Sequence, residues 1–261
     1  MIFNMKRSTY YAAIQNKPDK YESEKELIKQ IFHHHKGRYG YRRITVLVRR
    51  AGFALNHKTV KRLMNELGLK SCVRPKKYHS YKGIEGKGFP NILQRNFKTT
   101  GFNEKWVTDV TEFNISGQRI YLSALIDLYN QEVISYTISH RPTLNFVCKM
   151  LSNVFEKYNN LKGLIIHSDQ GWHYRTERYT QMLKMKDVTQ SMSRKGNCHY
   201  NCMAENFFGL LKTEFYYMNK FSSVEGFKKA LVEYIAYYNT ERIKIGLNGL
   251  SPIEFRAQYA A

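Results

Sequence analysis

Three carboxylates in this 261-residue chain stand where they could act together: Asp109, Asp169 and Glu205. Asp109 lies inside the apolar run "KWVTDVTEF", alternating with Val107 and Thr111, where an unpaired carboxylate is expensive to bury and calls for a compensating cation. Asp169 ends the short apolar run "GLIIHSD", at the strand rim where mixed α/β sheets bind ligands; taken alone it reads more simply as a turn residue before Gln170 and Gly171. Glu205 belongs to "CMAENFFGLLKTE", a predicted helix on which Asn201 precedes it by one turn and Lys212 follows by two, on the same face. Phe207, Leu210, Leu211 and Glu214 fall on the other side, and Glu214 is expected to be an ordinary helix charge. Carboxylates drawn from a central strand, a neighbouring strand end and a nearby helix repel one another, and Mg²⁺ relieves that repulsion. Two such ions roughly 3.5 to 4 Å apart could activate an attacking hydroxyl and stabilise the leaving oxygen of a phosphodiester. Lys212 would then hold a phosphate. Spacing alone is weak support, because 35 residues separate Asp169 from Glu205 and also Glu205 from Glu241.

The elements that must position these groups are legible in the patterning. "KWVTDVTEF", "QRIYLSALID" and "EVISYTISH" are rich in β-branched and aromatic residues and predict a three-strand meander. A helix over "TLNFVCKMLSNVFEKY", the strand "GLIIHSD", a helix near 176–185, the strand "VTQSMS" and the Glu205 helix follow. Antiparallel strands followed by alternating helices and strands predict an α/β fold: a mixed five-stranded sheet with helices on both faces. Asp127, before "LYNQ", reads as a turn residue. The tail helix "VEGFKKALVEYIAYYN" carries Phe227, Leu231, Tyr234 and Tyr238 at helical spacing, for packing on the core or on another copy.

Upstream, three helices form a small all-α region. "SEKELIKQIF" has Ser23 and Glu26 at capping-box spacing, "RRITVLVRRAG" closes on Gly52, and Asn56 caps "HKTVKRLMNELG". The last helix buries Val60, Leu63, Met64 and Leu67 and turns Lys58, Lys61, Arg62 and Asn65 outward, the arrangement of a helix-turn-helix DNA reader. The net charge of +21 is uneven: residues 1–100 hold 23 Lys/Arg and 6 Asp/Glu, whereas residues 101–261 hold 19 and 15. Concentrated positive charge points to a polyanion, and nucleic acid is the expected partner. Residues 70–98 read as a basic linker whose Lys76 and Lys77 could follow a phosphate backbone. Four cysteines without a CxxC pair, a start lacking a signal-peptide core and no apolar run of about 18 residues predict a cytoplasmic protein without membrane contact.

The strings "YGYRRITVLVRRAGFALNHKTVKRLMNELGLK", "WVTDVTEF", "HSDQGWHYR", "SMSRKGNCHYNCMAENFFGLLKTE" and "YNTERIKIGLNGLSPIEF" resemble, in order and over nearly the whole chain, the D-D-E transposases of bacterial insertion sequences, relatives of retroviral integrases. The resemblance implies a ribonuclease H-like core over 99–220 and a helix-turn-helix region over 1–69, with a helical extension over 221–261. It implies Asp109, Asp169 and Glu205 as a catalytic, metal-binding triad using Mg²⁺ or Mn²⁺. It further implies cleavage and strand transfer at element ends by a nucleoid-associated bacterial protein. Implied partners are double-stranded DNA, further copies of the chain on that DNA, and a first-reading-frame protein, separate or fused. The family usually has Asp where Tyr200 stands and Ala where Cys202 stands. That departure motivates two alternatives: a noncatalytic remnant that binds element ends as a repressor, or a structure-specific nuclease of the same fold.

Overall fold

The computed structural model describes residues 19–72, 90–94, 96–193 and 202–259. The chain forms two compact units, Met1–Val73 and Arg74–Ala261.

In the first unit, helices α1 (Glu22–His34), α2 (Tyr41–Arg50) and α3 (His57–Glu66) close on a core of Ile28, Phe32, Tyr39, Ile44, Val48, Val60, Leu63 and Met64. Helix α1 does not begin on the expected capping box. Ser23 lies inside it and the N-cap is Tyr21, which makes no side-chain cap; two residues earlier the Asp19 carboxylate accepts the Tyr21 N–H (3.0 Å) and pairs with Lys25 (2.6 Å), tying the segment before the helix to its first turn. The Asn56 cap is formed: its side chain accepts the Lys58 N–H at 2.9 Å, and Gly68 ends the segment at φ +68°. Asn56→Ala removes that acceptor, a loss of about 1 kcal/mol. Amide exchange through Val60–Met64 is expected to speed up roughly fivefold where local opening governs it; unchanged exchange would show that the cap does not hold the helix.

The second unit is built on the sheet β1 (Lys105–Ile115), β2 (Gln118–Asp127), β3 (Val133–Ser139), β4 (Ile165–Ser168) and β5 (Thr189–Met192), in spatial order β3-β2-β1-β4-β5. The first three strands pair antiparallel, and β1–β4 and β4–β5 pair parallel. The β1–β2 hairpin turns through Ser116 (φ +49°) and Gly117 (φ +85°), the two left-handed residues that match the twist of the flanking strands. Helices α4 (Leu144–Lys157) and α5 (Glu177–Lys184) cover one face, packing Phe146, Val147, Met150, Leu151, Tyr179 and Leu183 on Trp106, Leu125 and Ile166. Helix α6 (Cys202–Leu211) and helix α7 (Val224–Thr240) cover the other, packing Phe207, Leu211, Phe227, Leu231 and Tyr238 on Val107, Phe113, Leu122 and Ala124. The tail helix predicted to seek an apolar partner therefore finds it in this unit's own sheet. Helix α8 (Pro252–Tyr259) follows. No described helix is long and apolar enough to cross a membrane.

Odd residues of β1 point toward α6 and α7, because strand side chains alternate with period two and Val107, Phe113 and Ile115 all join that core. The same parity sends Asp109 to the α6 face.

Candidate active site

Strand pairing brings two of the three carboxylates to one rim of the sheet. Val107 of β1 is the last residue paired with β4, opposite His167. Asp109 lies two residues further along β1, and Asp169 two residues further in sequence, just past the carboxyl end of β4. This is the edge at which parallel strands part and α/β sheets bind ligands. Asp109 is half-buried and its carboxylate accepts the Val110 N–H at 2.7 Å. Asp169 is exposed, and its Oδ1 accepts the Gly171 N–H at 2.9 Å. Its turn-forming role is thus fulfilled, and the turn is what holds the carboxylate at the strand rim. A Cβ at Gly171 would stand 2.9 Å from Asp169 Oδ1 and 3.2 Å from the Tyr174 ring, so a larger residue there would displace the Asp169 carboxylate.

Glu205 comes from the first two turns of α6, exposed, while Ala204, Phe207 and Phe208 turn into the core. Its charge reaches Asp109. Burial, then the Asp169 and Glu205 carboxylates, push Asp109 up to about 7, against the pull of the Val110 N–H and the Lys212 ammonium. Asp109, Asp169, Glu205 and Lys212 therefore share one electrostatic environment. Lys212 is half-buried, its ammonium 5.8 Å from the Phe113 ring centre.

Helix α6 does not run on regularly past Lys212. Residues Lys212–Tyr216 form a π-turn in which the Tyr217 N–H reaches the Lys212 carbonyl, five residues back (2.9 Å). Glu214 lies in this turn and is not a surface charge. It is 1% exposed and forms a bidentate pair with the equally buried Arg242: Nε–Oε2 2.7 Å and Nη2–Oε1 2.6 Å. The Tyr234 hydroxyl also donates to Oε2, at 3.2 Å. The clue was in the sequence, since Glu214 shares its helix side with Phe207 and Leu211, and a carboxylate on an apolar stripe needs a buried cation. Nothing local named Arg242 as that cation. A second pairing was missed in the same way: Arg256 of α8 bonds Glu132 (2.6 Å) and Asp127 (3.4 Å), while Asp127 accepts the Asn103 and Tyr129 N–H groups (3.0 and 2.8 Å). Asp127 is thus a turn residue with an added tie to the C-terminal helix.

Around Asp169, His167 is fully buried with Nδ1 2.9 Å from Ser191 Oγ, and Gln170 donates to the Ser193 carbonyl at 2.9 Å. Both stitch β4 to β5. In the first unit, Lys58, Lys61, Arg62 and Asn65 are all exposed on α3; Arg62 pairs with Glu66, and Lys61 sits 5.7 Å over the Tyr41 ring. Lys76, Lys77 and Tyr200 lie outside the described residues, as does the side chain of Cys202.

Among the described residues no group of three or more His, Cys, Asp or Glu side chains stands in a metal-holding arrangement. Donor chemistry and charge nevertheless suit a hard divalent cation: the cluster is all carboxylate oxygen, and burial together with like charge already drives Asp109 toward its neutral form.

A mixed sheet in this strand order, sandwiched by helices and carrying acidic side chains at the β1–β4 rim, defines a ribonuclease H-like polynucleotidyl transferase core. Residues 100–198 and 205–259 each match integrase core domain families, and residues 19–78 match an HTH-like domain. The chain is 52% identical over 254 residues, 97% of its length and 90% of the relative's, to the putative transposase InsK for insertion sequence element IS150 of Escherichia coli (strain K12). It is 46% identical over 204 residues, 78% of its length and 94% of the relative's, to an uncharacterized transposase-like protein of Haemophilus influenzae. A chain of a simian T-cell lymphotropic virus intasome superimposes with a TM-score of 0.51 at 15% identity, over 88% of this chain and 73% of that one, which shows the shared fold. The chain belongs to the insertion-sequence transposases of the IS150/IS3 family.

Proposed function

We propose that this transposase cuts DNA at the ends of its insertion element and joins the released 3′ ends to target DNA, with Asp109, Asp169 and Glu205 as its catalytic residues. The observation that carries this is geometric: Asp109 and Asp169 reach the β1–β4 rim of an integrase core, and the helix bearing Glu205 packs on β1 beside them.

In the reaction, the oxygen of water attacks a phosphodiester at the element end, a P–O bond forms in line with the one that breaks, and the 3′ oxygen leaves as a hydroxyl. That hydroxyl then attacks a target phosphodiester in the same way. The three carboxylates would hold Mg²⁺ or Mn²⁺, as a pair of ions, and the bound metal would supply activation of the attacking oxygen and stabilisation of the leaving one. Asp109, at the sheet, orients the site from below, and Asp169, fixed by the Gly171 N–H, orients it from the strand rim. Lys212 places a positive charge against the phosphate being cut. Outside the core, Lys58, Lys61, Arg62 and Asn65 of α3 contact double-stranded DNA, and Lys76 and Lys77 of the 70–98 linker follow its backbone. Residues 1–69 then act as the end-reading domain, 99–220 as the core and 221–261 as its helical cover. Further copies of the chain and a first-reading-frame protein complete the assembly on DNA.

The test is cleavage of labelled DNA carrying the element's ends by purified protein with Mg²⁺, with and without a first-frame partner, for wild type and Glu205→Gln. Wild type should nick and join. Glu205→Gln should bind the same DNA and lose cleavage by on the order of 10³-fold or more. Binding by both with cleavage by neither would mark a remnant, and nicking without joining would mark a nuclease.

A further inference from the structure

We propose that Trp172 is a stacking platform for an unpaired base at the DNA end, set beside the carboxylate site; this rests on the reading of that site as one that acts on DNA ends. Trp172 is 57% exposed, whereas the chain's other tryptophan, Trp106, is completely buried. An indole left in water gives up the burial that Trp106, Tyr174 and Tyr179 obtain in the same unit.

The local structure holds this ring in place. Trp172 opens a short 3-10 turn, Trp172–Arg175, that begins three residues after Asp169, and the Tyr174 N–H closes onto the Gly171 carbonyl at 3.1 Å. Both ends of the turn are anchored. Gly171 is wedged between Asp169 Oδ1 and the Tyr174 ring, and Tyr174 is buried against Tyr179, ring centres 5.3 Å apart. The buried His173 bonds the Pro142 carbonyl through Nε2 (2.7 Å), and its ring lies 4.0 Å from the indole, inclined 31°. One indole face is therefore backed by imidazole, and the exposed area belongs to the remainder. Arg175, at the end of the same turn, is exposed and adds positive charge.

A rigid aromatic ring with a supported back, an exposed front and a cation close in sequence is the equipment that single-stranded nucleic acid uses: bases stack on the ring and the backbone follows the charge. Cutting next to a duplex end exposes bases that have lost their partners, and such bases need a new stacking surface. A ring three residues from Asp169 supplies one.

Trp172 can be tested directly because it is the only exposed tryptophan of two. Wild-type fluorescence should be quenched on adding a duplex of the element's terminal repeat whose last pairs are mismatched, and quenched less by the same duplex with its end covalently closed. A 2-aminopurine at the terminal position should report the same contact. Trp172→Ala should raise KM for end cleavage roughly 5- to 100-fold with unchanged thermal melting, and Trp172→Phe should restore most of the loss. Wild type that cleaves while Trp172→Ala shows the same KM and the same 2-aminopurine signal would overturn the inference alone. Wild type that neither binds nor cleaves would overturn it together with the transposase reading. Quenching that follows protein concentration and ignores DNA would assign the ring to contact between copies, and would equally refute it.

Discussion

Asp109→Asn is expected to abolish end cleavage while making the metal-free protein more heat-stable at pH 8. Burial and the neighbouring Asp169 and Glu205 carboxylates lift Asp109 from its ordinary 3.8 to about 7. A carboxyl whose folded pKa is raised favours the folded state fully below its unfolded pKa, and that contribution is lost as pH climbs through the folded value. The ionised form at pH 8 therefore carries a cost, of order 4 kcal/mol at most, that develops between about pH 4 and 7. Asparagine carries none. In a unit of this size the relief corresponds to a rise of several degrees in melting temperature at pH 8 and almost none at pH 4. Mg²⁺ binding only the folded state should raise the wild-type melting temperature at pH 8 and leave the variant's unmoved. Thermal melts at the two pH values, in EDTA and in Mg²⁺, read all of this. A variant equally stabilised or destabilised at both would mean that Asp109 is not under like-charge strain, and a variant that still cleaved would remove it from the site.

The second large effect is expected at the buried ion pair behind the Lys212 turn. Arg242→Met should destabilise the protein by about 3–5 kcal/mol, roughly 10 °C or more in melting temperature, because it leaves the Glu214 carboxylate buried without its partner. Burial opposes the guanidinium's charge, but the Glu214 hydrogen bonds and charge outweigh it and keep Arg242 protonated. Replacing both members, Glu214→Leu with Arg242→Met, should recover most of the loss, since a buried ion pair and a well-packed apolar pair are often nearly equivalent. Denaturant unfolding of the two single variants and the double variant gives the coupling directly. Cleavage supplies a second readout, because Glu214 belongs to the π-turn that begins at Lys212. If the singles were as stable as wild type, or the double as unstable as the worse single, the pair would not be holding that turn.

The order and type of the elements, the five strands, the Asn56 cap and the outward face of α3 were legible because each depends on residues one to four positions apart. Local spacing also put Asp109 on one face of β1 and set Glu205, on α6, opposite Glu214 in the turn that continues it. Where the local signal was ambiguous it misled. Ser23 had capping spacing, but the helix starts one residue before it, after Tyr21, and Asp19 ties down its entry through a carboxylate that also pairs with Lys25. Glu214 looked like a solvated charge because its partner lies 28 residues away, beyond any helical period.

By itself, then, the sequence determined the α/β pattern, the small helical unit before it, and which residues could form an acidic site. Only the tertiary structure decided that Val107 pairs with His167, so that Asp109 and Asp169 reach the same rim, and that Arg242 and Arg256 fold back to neutralise Glu214, Glu132 and Asp127. The physical reason is range. Backbone periodicity is written in neighbouring side chains, whereas strand register and the choice of a buried counterion are settled by the packing of segments that meet only when the sheet and its two helical layers close.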